Sequence, residues 1–443
     1  VLKALGRDVA IYGAADFAFR LIAFAVFPIY AHVFTVEQFG VYALVSASAG
    51  LVALLANLGI SNAAQRYYWD AEAAAATQPS IISTGLLVLV ASSTAIVAVF
   101  AATLFPLRET IATRYGVSWT IVVLTLATIV PEQILQYCLD TLRLHLTPWR
   151  FVAVSLLKNL LGVSAGLFFI LVLDAGLEGL FAGALVGAIA AVPVALVLVR
   201  RDLSLECRFP LAGRLVSFGY PFVFAGLAYW IFGMADRWML AEMSTATELG
   251  LYAIAYKFAA IVVFLNGAFG QAWSPMAMKM RRDVATYRSA YARVLSVWLF
   301  VLLLVGAAVA LFGKPLLQLL TPPEYWDAAG VLAILVMGVV VSGTTQITAV
   351  GISIERETRL FAWASWLTAA INIALNLVLI PAYGAAGAAL ATFLSYVVLT
   401  ALYLFWSQKL HPIPLEKTPL AFAAVVIVAL VAAGLYGALL ERP

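Results

Sequence analysis

Long apolar runs, separated by short polar stretches, recur along the whole chain. Read as helices, they fall at about 9–31, 40–62, 80–105, 117–139, 150–173, 177–199, 214–236, 249–272, 291–313, 328–352, 360–380, 384–406 and 419–440. Each is roughly 20 to 26 residues long, enough to cross a hydrocarbon core of about 30 Å with some tilt. Membrane strands would instead give segments of about ten residues with alternating polarity. In lipid the backbone must satisfy its own hydrogen bonds, which a helix does within one segment. The pattern predicts an all-α polytopic membrane protein with about thirteen spans. The connections are too short to hold a soluble domain.

Composition agrees. Of 443 residues, 64% are hydrophobic and 11% charged, against about 25% charged in ordinary soluble domains. The net charge of +4 follows topology and gives no reason to expect nucleic acid as a partner. With the N-terminus inside, eighteen of the 26 Lys and Arg fall in inside segments. Five fall outside (Arg108, Arg114, Arg237, Lys314 and Arg442), and Arg20, Lys158 and Lys257 lie within spans. That asymmetry predicts a cytoplasmic N-terminus. Cys138 and Cys207 fall near the inner side, so no disulfide framework is expected. His32, His145 and His411 are scattered, so no metal site is expected. No Gly-x-x-x-x-Gly-Lys-Ser/Thr sequence occurs to suggest nucleotide hydrolysis.

The runs also repeat. Glu37-Gln38-Phe39-Gly40-Val41-Tyr42-Ala43 opens the second, and Glu248-Leu249-Gly250-Leu251-Tyr252-Ala253 opens the eighth, 210 residues on. Gly176-Leu177-Glu178-Gly179 opens the sixth, and Gly384-Ala385-Ala386-Gly387 opens the twelfth, 208 residues on. Two matches at nearly one offset predict a duplication of six spans. Six is even, so the halves run parallel through the membrane, with a site expected between them. The expected plan is an N-terminal six-helix lobe over 1–199, a cytoplasmic linker over 200–213, a C-terminal six-helix lobe over 214–406 and an extra C-terminal transmembrane segment over 407–443.

Three stretches carry a family resemblance. They are Phe27-Pro28-Ile29-Tyr30 with Gln38-Phe39-Gly40-Val41-Tyr42-Ala43; Leu58-Gly59-Ile60-Ser61 with Gln65-Arg66-Tyr67-Tyr68-Trp69-Asp70; and Asn372 through Pro381 with Tyr383-Gly384-Ala385-Ala386-Gly387-Ala388-Ala389. Their order and spacing over the first twelve spans resemble the polysaccharide (O-antigen type) flippase family of the multidrug/oligosaccharidyl-lipid/polysaccharide exporter superfamily. The resemblance implies two six-helix lobes around a central cavity lined by the first, second, seventh and eighth spans. It implies movement of undecaprenyl-pyrophosphate-linked oligosaccharide from the inner to the outer leaflet of a bacterial inner membrane. Membrane lipids, a polysaccharide polymerase and glycosyltransferases are the further partners it suggests. Many members have twelve or fourteen spans, and thirteen departs from both.

A lipid-linked sugar keeps its tail in lipid, but its phosphates and head need a hydrated, cationic route. Ionisable residues within spans are therefore the candidates. Asp16 and Arg20, four apart on one helical face, are read either as a phosphate-binding arginine with its controlling carboxylate or as a packing ion pair. Lys257 is a candidate phosphate ligand facing Arg20, or a lysine snorkelling outward. Lys158 has the same two readings nearer the inner surface. Glu132, next to Pro131, is a candidate carboxylate for coupling Na⁺ or H⁺, or the partner of a neighbouring helix. Asp236 is a further coupling candidate, or one half of an interfacial pair with Arg237 at the outer end of the seventh span. Arg66 and Tyr67, with Tyr68 and Trp69, are read as a pyrophosphate-capturing mouth or as an aromatic belt. Asn372 and Asn376 read as interhelical hydrogen-bonding groups. The cationic stretch from Lys279 to Arg293 reads as an inside loop. No catalytic residue and no cofactor beyond a coupling Na⁺ or H⁺ is expected.

Three functions compete. A lipid-linked oligosaccharide flippase working by alternating access leads, because Arg20 and Lys257 favour an anionic substrate. An organic cation antiporter of the same superfamily would use Asp16 and Glu132. A membrane glycosyltransferase or polymerase would need a large outside loop, which the spacing does not provide.

Overall fold

The computed structural model describes residues 18, 22, 24–69, 77–145, 147–204, 206, 208–283, 286–355 and 357–440, apart from the side chains of 272, 274, 275, 278, 279, 281–283 and 358. Asp16, Arg20 and Cys207 lie outside the described residues. Among the described residues every regular element is helical. In chain order these are α1 (Phe24–Val33), α2 (Val36–Asn57), α3 (Ile60–Tyr68), α4 (Gln78–Leu104), α5 (Arg108–Tyr115), α6 (Trp119–Leu144), α7 (Pro148–Leu171) and α8 (Gly176–Val199). They continue with α9 (Phe209–Met243), α10 (Ala246–Asp283), α11 (Tyr287–Leu320), α12 (Ala328–Gly343), α13 (Thr345–Thr348), α14 (Val350–Ile354), α15 (Thr358–Leu410) and α16 (Lys417–Leu440). Among the described residues eleven helical segments are long and apolar enough to span a membrane.

One of the eleven holds two spans. Within α15 the backbone leaves helical geometry at Gly384, with φ 49° and ψ −129°. A side chain there would clash with its own backbone, so glycine sets the boundary between the eleventh and twelfth spans. Gly176, its counterpart in the repeat, also has a positive φ, of 55°. The second to thirteenth predicted runs therefore each have a helix, and α1 is the described part of the first.

Helix limits differ from the expected ones for local reasons. The second span ends at Asn57 rather than 62, because Leu58 and Gly59 both adopt positive φ, 49° and 69°. The chain restarts as the short α3, which carries Arg66 and Tyr67. α9 continues to Met243, seven residues beyond the expected end. The Lys279–Arg293 stretch is not simply a loop: α10 runs through Asp283 and α11 begins at Tyr287.

The chain forms two compact units, residues 1–34 with 44–230, and 35–43 with 231–443. In the first, α6, α7 and α8 share a core that includes Leu135, Cys138, Leu142, Val154, Ala191 and Ala195. Glycines bring α7 and α8 together so closely that a Cβ on Gly183 would lie 2.5 Å from the Gly166 backbone. Such small-residue contacts drive helix association where lipid removes the hydrophobic force. In the second unit the start of α2 crosses the start of α10 at the repeated glycines. A Cβ on Gly40 would meet the Ala246 carbonyl oxygen, and one on Gly250 the Val36 carbonyl oxygen. Gly250 and Ala246 stand 210 residues after Gly40 and Val36, so the crossing is reciprocal. The Thr247 hydroxyl donates to Glu37 at 2.8 Å beside it. Here too α16 packs on α12, Gly434 against Gly330.

Candidate functional site

Two of the described ion pairs join charges that the sequence places within spans, one in each unit. In the first unit Lys158 of α7 donates to the Glu132 carboxylate of α6. Pro131 precedes Glu132 inside α6. Proline has no N–H to donate and leaves a carbonyl unpaired one turn back, so this is a polar stretch of the helix. The pair is open, the Glu132 side chain being 40% exposed and that of Lys158 30%. Close by, Gln133 donates to the Ala53 carbonyl at 2.7 Å and accepts from Asn57 at 2.9 Å, tying α6 to α2.

In the second unit the Asp236–Arg237 pair is closed. Its side chains are 3% and 7% exposed. Asp236 Oδ1 accepts from the Arg237 backbone N–H at 2.8 Å and from Arg237 Nη1 at 2.9 Å. Oδ2 accepts from the Tyr252 hydroxyl, which lies 3.4 Å from Thr392 Oγ1. Arg237 Nη1 also donates to the Gly233 carbonyl at 2.8 Å, and its guanidinium lies 4.6 Å over the Tyr256 ring. The pair therefore sits buried within α9, not exposed at the end of a span, and Arg237 does not belong with the outer-loop cations. Both carboxylate oxygens of Asp236 thus have a donor, Arg237 on Oδ1 and Tyr252 on Oδ2.

Lys257 of α10 is partly buried, with Nζ 5.7 Å from the centre of the Phe39 ring. Arg66 is exposed on α3. Tyr67 is half-buried against Phe218, with ring centres 5.8 Å apart. Tyr68 is buried in the core beneath α3, where desolvation, then the Asp202 carboxylate, push its hydroxyl above the ordinary phenol range and keep it neutral. Trp69 is 69% exposed. Asn372 donates to Ser395 at 3.1 Å across the two halves of α15, and Asn376 donates to Asn372 at 3.0 Å. Asn372 links the two helices as expected, whereas the Asn376 bond stays within one helix.

Sequence reasoning missed two features. Glu248 accepts from the Ala385 N–H at 2.6 Å, capping the helix that restarts after Gly384. That acid stands just before the repeated Gly-Leu-Tyr-Ala, so its place at a helix start was readable. The second is a row of polar residues on α6, Glu132, Gln136, Asp140 and Arg143, joined by bonds of 3.1 Å from Gln136 and from Arg143 to Asp140. Its spacing of four, four and three was legible.

This architecture defines a multi-pass helical membrane protein with a duplicated core. Its fold is similar to that of the lipid II flippase MurJ in an inward closed conformation, with a TM-score of 0.71 and 13% identity over 96% of this chain and 98% of that one. It is also similar to an inward-facing multidrug resistance MATE family transporter of the MOP superfamily, with a TM-score of 0.66 and 16% identity over 90% and 94%. The chain belongs to the polysaccharide biosynthesis protein family, whose model matches residues 5–281. A curated relative, the probable low-salt glycan biosynthesis flippase Agl15 of Haloferax volcanii, is 22% identical over 396 residues, 88% of this chain and 80% of that protein. The family resemblance read from the motifs holds. The protein is a multi-pass membrane transporter rather than an enzyme, which removes the glycosyltransferase reading.

Proposed function

We propose that this protein is a flippase for lipid-linked glycan, moving undecaprenyl-pyrophosphate-linked oligosaccharide from the inner to the outer leaflet by alternating access. The observation that carries the reading is membership of the polysaccharide biosynthesis family over residues 5–281, together with a glycan flippase relative aligned over most of both chains. Charge chemistry supports it. Lys257, partly buried in an apolar helix, suits a phosphate as a compact point charge. Arg66, exposed on the short helix beside Tyr67 and Trp69, suits capture of an incoming pyrophosphate. Arg20 and Asp16 keep the roles expected from their spacing. For coupling to Na⁺ or H⁺, Glu132 is the better candidate of the described carboxylates, because its pair is open where that of Asp236 is enclosed. The N-terminus is cytoplasmic, the membrane is the bacterial inner membrane, and the two six-helix lobes over 1–199 and 214–406 are the moving bodies. Polymerase and glycosyltransferases are its working partners.

Fold likeness to multidrug transporters keeps an organic cation antiporter as the second reading. Removal of the protein from cells separates the two. The flippase reading predicts lipid-linked oligosaccharide accumulating in the inner leaflet with unchanged drug sensitivity. Increased drug sensitivity without that accumulation would overturn it.

A further inference from the structure

The C-terminal half of α6 has a polar face that a bilayer would not tolerate. Glu132, Gln136, Asp140 and Arg143 follow one another along it: Gln136 and Arg143 are exposed, the Glu132 side chain is 40% exposed, and that of Asp140, at 13%, is mostly covered. On one flank of this row Leu135, Cys138, Leu139 and Leu142 are buried with α7 and α8. In the N-terminal half the exposed positions are largely apolar or small, Val123 at 46% exposure among them. The character therefore changes at Glu132, midway between the helix ends at Trp119 and Leu144. From Glu132 to Arg143 the helix rises about 16 Å, roughly half of a hydrocarbon core. Arg143, at the helix end, can reach the interface by snorkelling. Glu132, with a short side chain midway along the helix, is too deep for that, so its side of the helix requires water.

Three features indicate what enters with the water. The charges cancel, Lys158 on Glu132 and Arg143 on Asp140, so the face offers no surplus positive charge to a pyrophosphate. Planar amide, carboxylate and guanidinium groups present donors and acceptors side by side, the chemistry that matches vicinal hydroxyls. At the end of α6, the His145 ring meets Tyr68 edge-on at 5.9 Å, and Tyr68 in turn meets the exposed Trp69 at 5.2 Å. An exposed indole at the mouth offers a flat apolar surface to the C–H face of a sugar ring. We propose that the polar face of α6 lines a hydrated vestibule, open at the α6 C-terminal end, that holds the sugar portion of the lipid-linked substrate while its phosphates bind elsewhere. This rests on the flippase reading. It adds a subsite for the glycan and assigns Gln136 as a contact.

The test uses the full chain with Cys207→Ser in lipid vesicles, leaving the buried Cys138 in place. Gln136→Cys and, as control, Val123→Cys are exposed to a charged, membrane-impermeant methanethiosulfonate. The proposal predicts labelling at 136 about a hundredfold faster than at 123, the ratio set by the cost of bringing a charge into hydrocarbon. It predicts that the lipid-linked oligosaccharide pool extracted from the native membrane slows labelling at 136, whereas undecaprenyl pyrophosphate alone does not. Equally slow labelling at both sites would overturn the hydrated face. Equal protection by undecaprenyl pyrophosphate alone would overturn the sugar assignment. Absence of protection by the pool, in vesicles that still exchange it between leaflets, would also overturn that assignment and leave the flippase reading intact. A wild-type protein that exchanges none of the pool would instead defeat the flippase reading, and the glycan subsite with it.

Discussion

Two ion pairs, one in each unit, show opposite uses of charge in an apolar helix. Asp236–Arg237 is enclosed, each carboxylate oxygen accepts from a donor within the unit, and two tyrosine rings stand against the guanidinium. Glu132–Lys158 has one bridging contact and stays open on the rest of its surface. Removing one partner of a buried pair leaves an uncompensated charge in low dielectric, whereas a half-exposed pair is screened by water. The enclosed pair is thus a fixed part of the α9, α10 and α15 packing. The open pair is held by a single contact between α6 and α7.

The largest expected effect comes from breaking the enclosed pair. Arg237→Ala should lower stability by about 3 to 5 kcal/mol, read as a drop in the detergent unfolding midpoint and in folded yield. The double variant Asp236→Asn with Arg237→Gln should recover part of that loss, and failure to do so would mean that the charges are not coupled. Next, Tyr252→Phe removes the donor to Oδ2 and should cost about 1.5 to 3 kcal/mol. An unchanged midpoint would show that the carboxylate is satisfied without it. Glu132→Gln should cost less than about 1 kcal/mol, yet alter the cation or pH dependence of transport. A variant with wild-type ion dependence would place coupling elsewhere. Smallest in stability, within about 0.5 kcal/mol, is Arg66→Ala, which should raise the substrate concentration needed for half-maximal transport while leaving the maximal rate near wild type.

These pairs also mark where the sequence was legible. Hydrophobic run length located the spans because membrane thickness imposes it directly, and Gly384 marked the eleventh–twelfth boundary because so few residues adopt its backbone angles. The end of α2 was not legible, since the positive φ of Leu58 is a tertiary outcome that leucine does not announce. Lys279 to Arg293 read as a loop because charge was taken as the edge of helix, although α10 continues through it to Asp283. Asp236 read as interfacial because the apolar run stops there. The groups that bury it, Tyr252, Tyr256 and Thr392, lie further along the chain, on α10 and the second half of α15. The Glu132–Lys158 pairing was likewise open from sequence: both residues stood out as charges within spans, but nothing in their spacing showed that α6 and α7 bring them together.

The central claim, movement of a lipid-linked glycan, is tested most directly by leaflet exchange in vesicles containing only the purified protein and the lipid-linked oligosaccharide pool of the native membrane. The account predicts protein-dependent appearance of the oligosaccharide in the opposite leaflet, slowed by Lys257→Ala. Exchange no faster than in protein-free vesicles, by a protein shown to be folded from its unfolding midpoint, would contradict it.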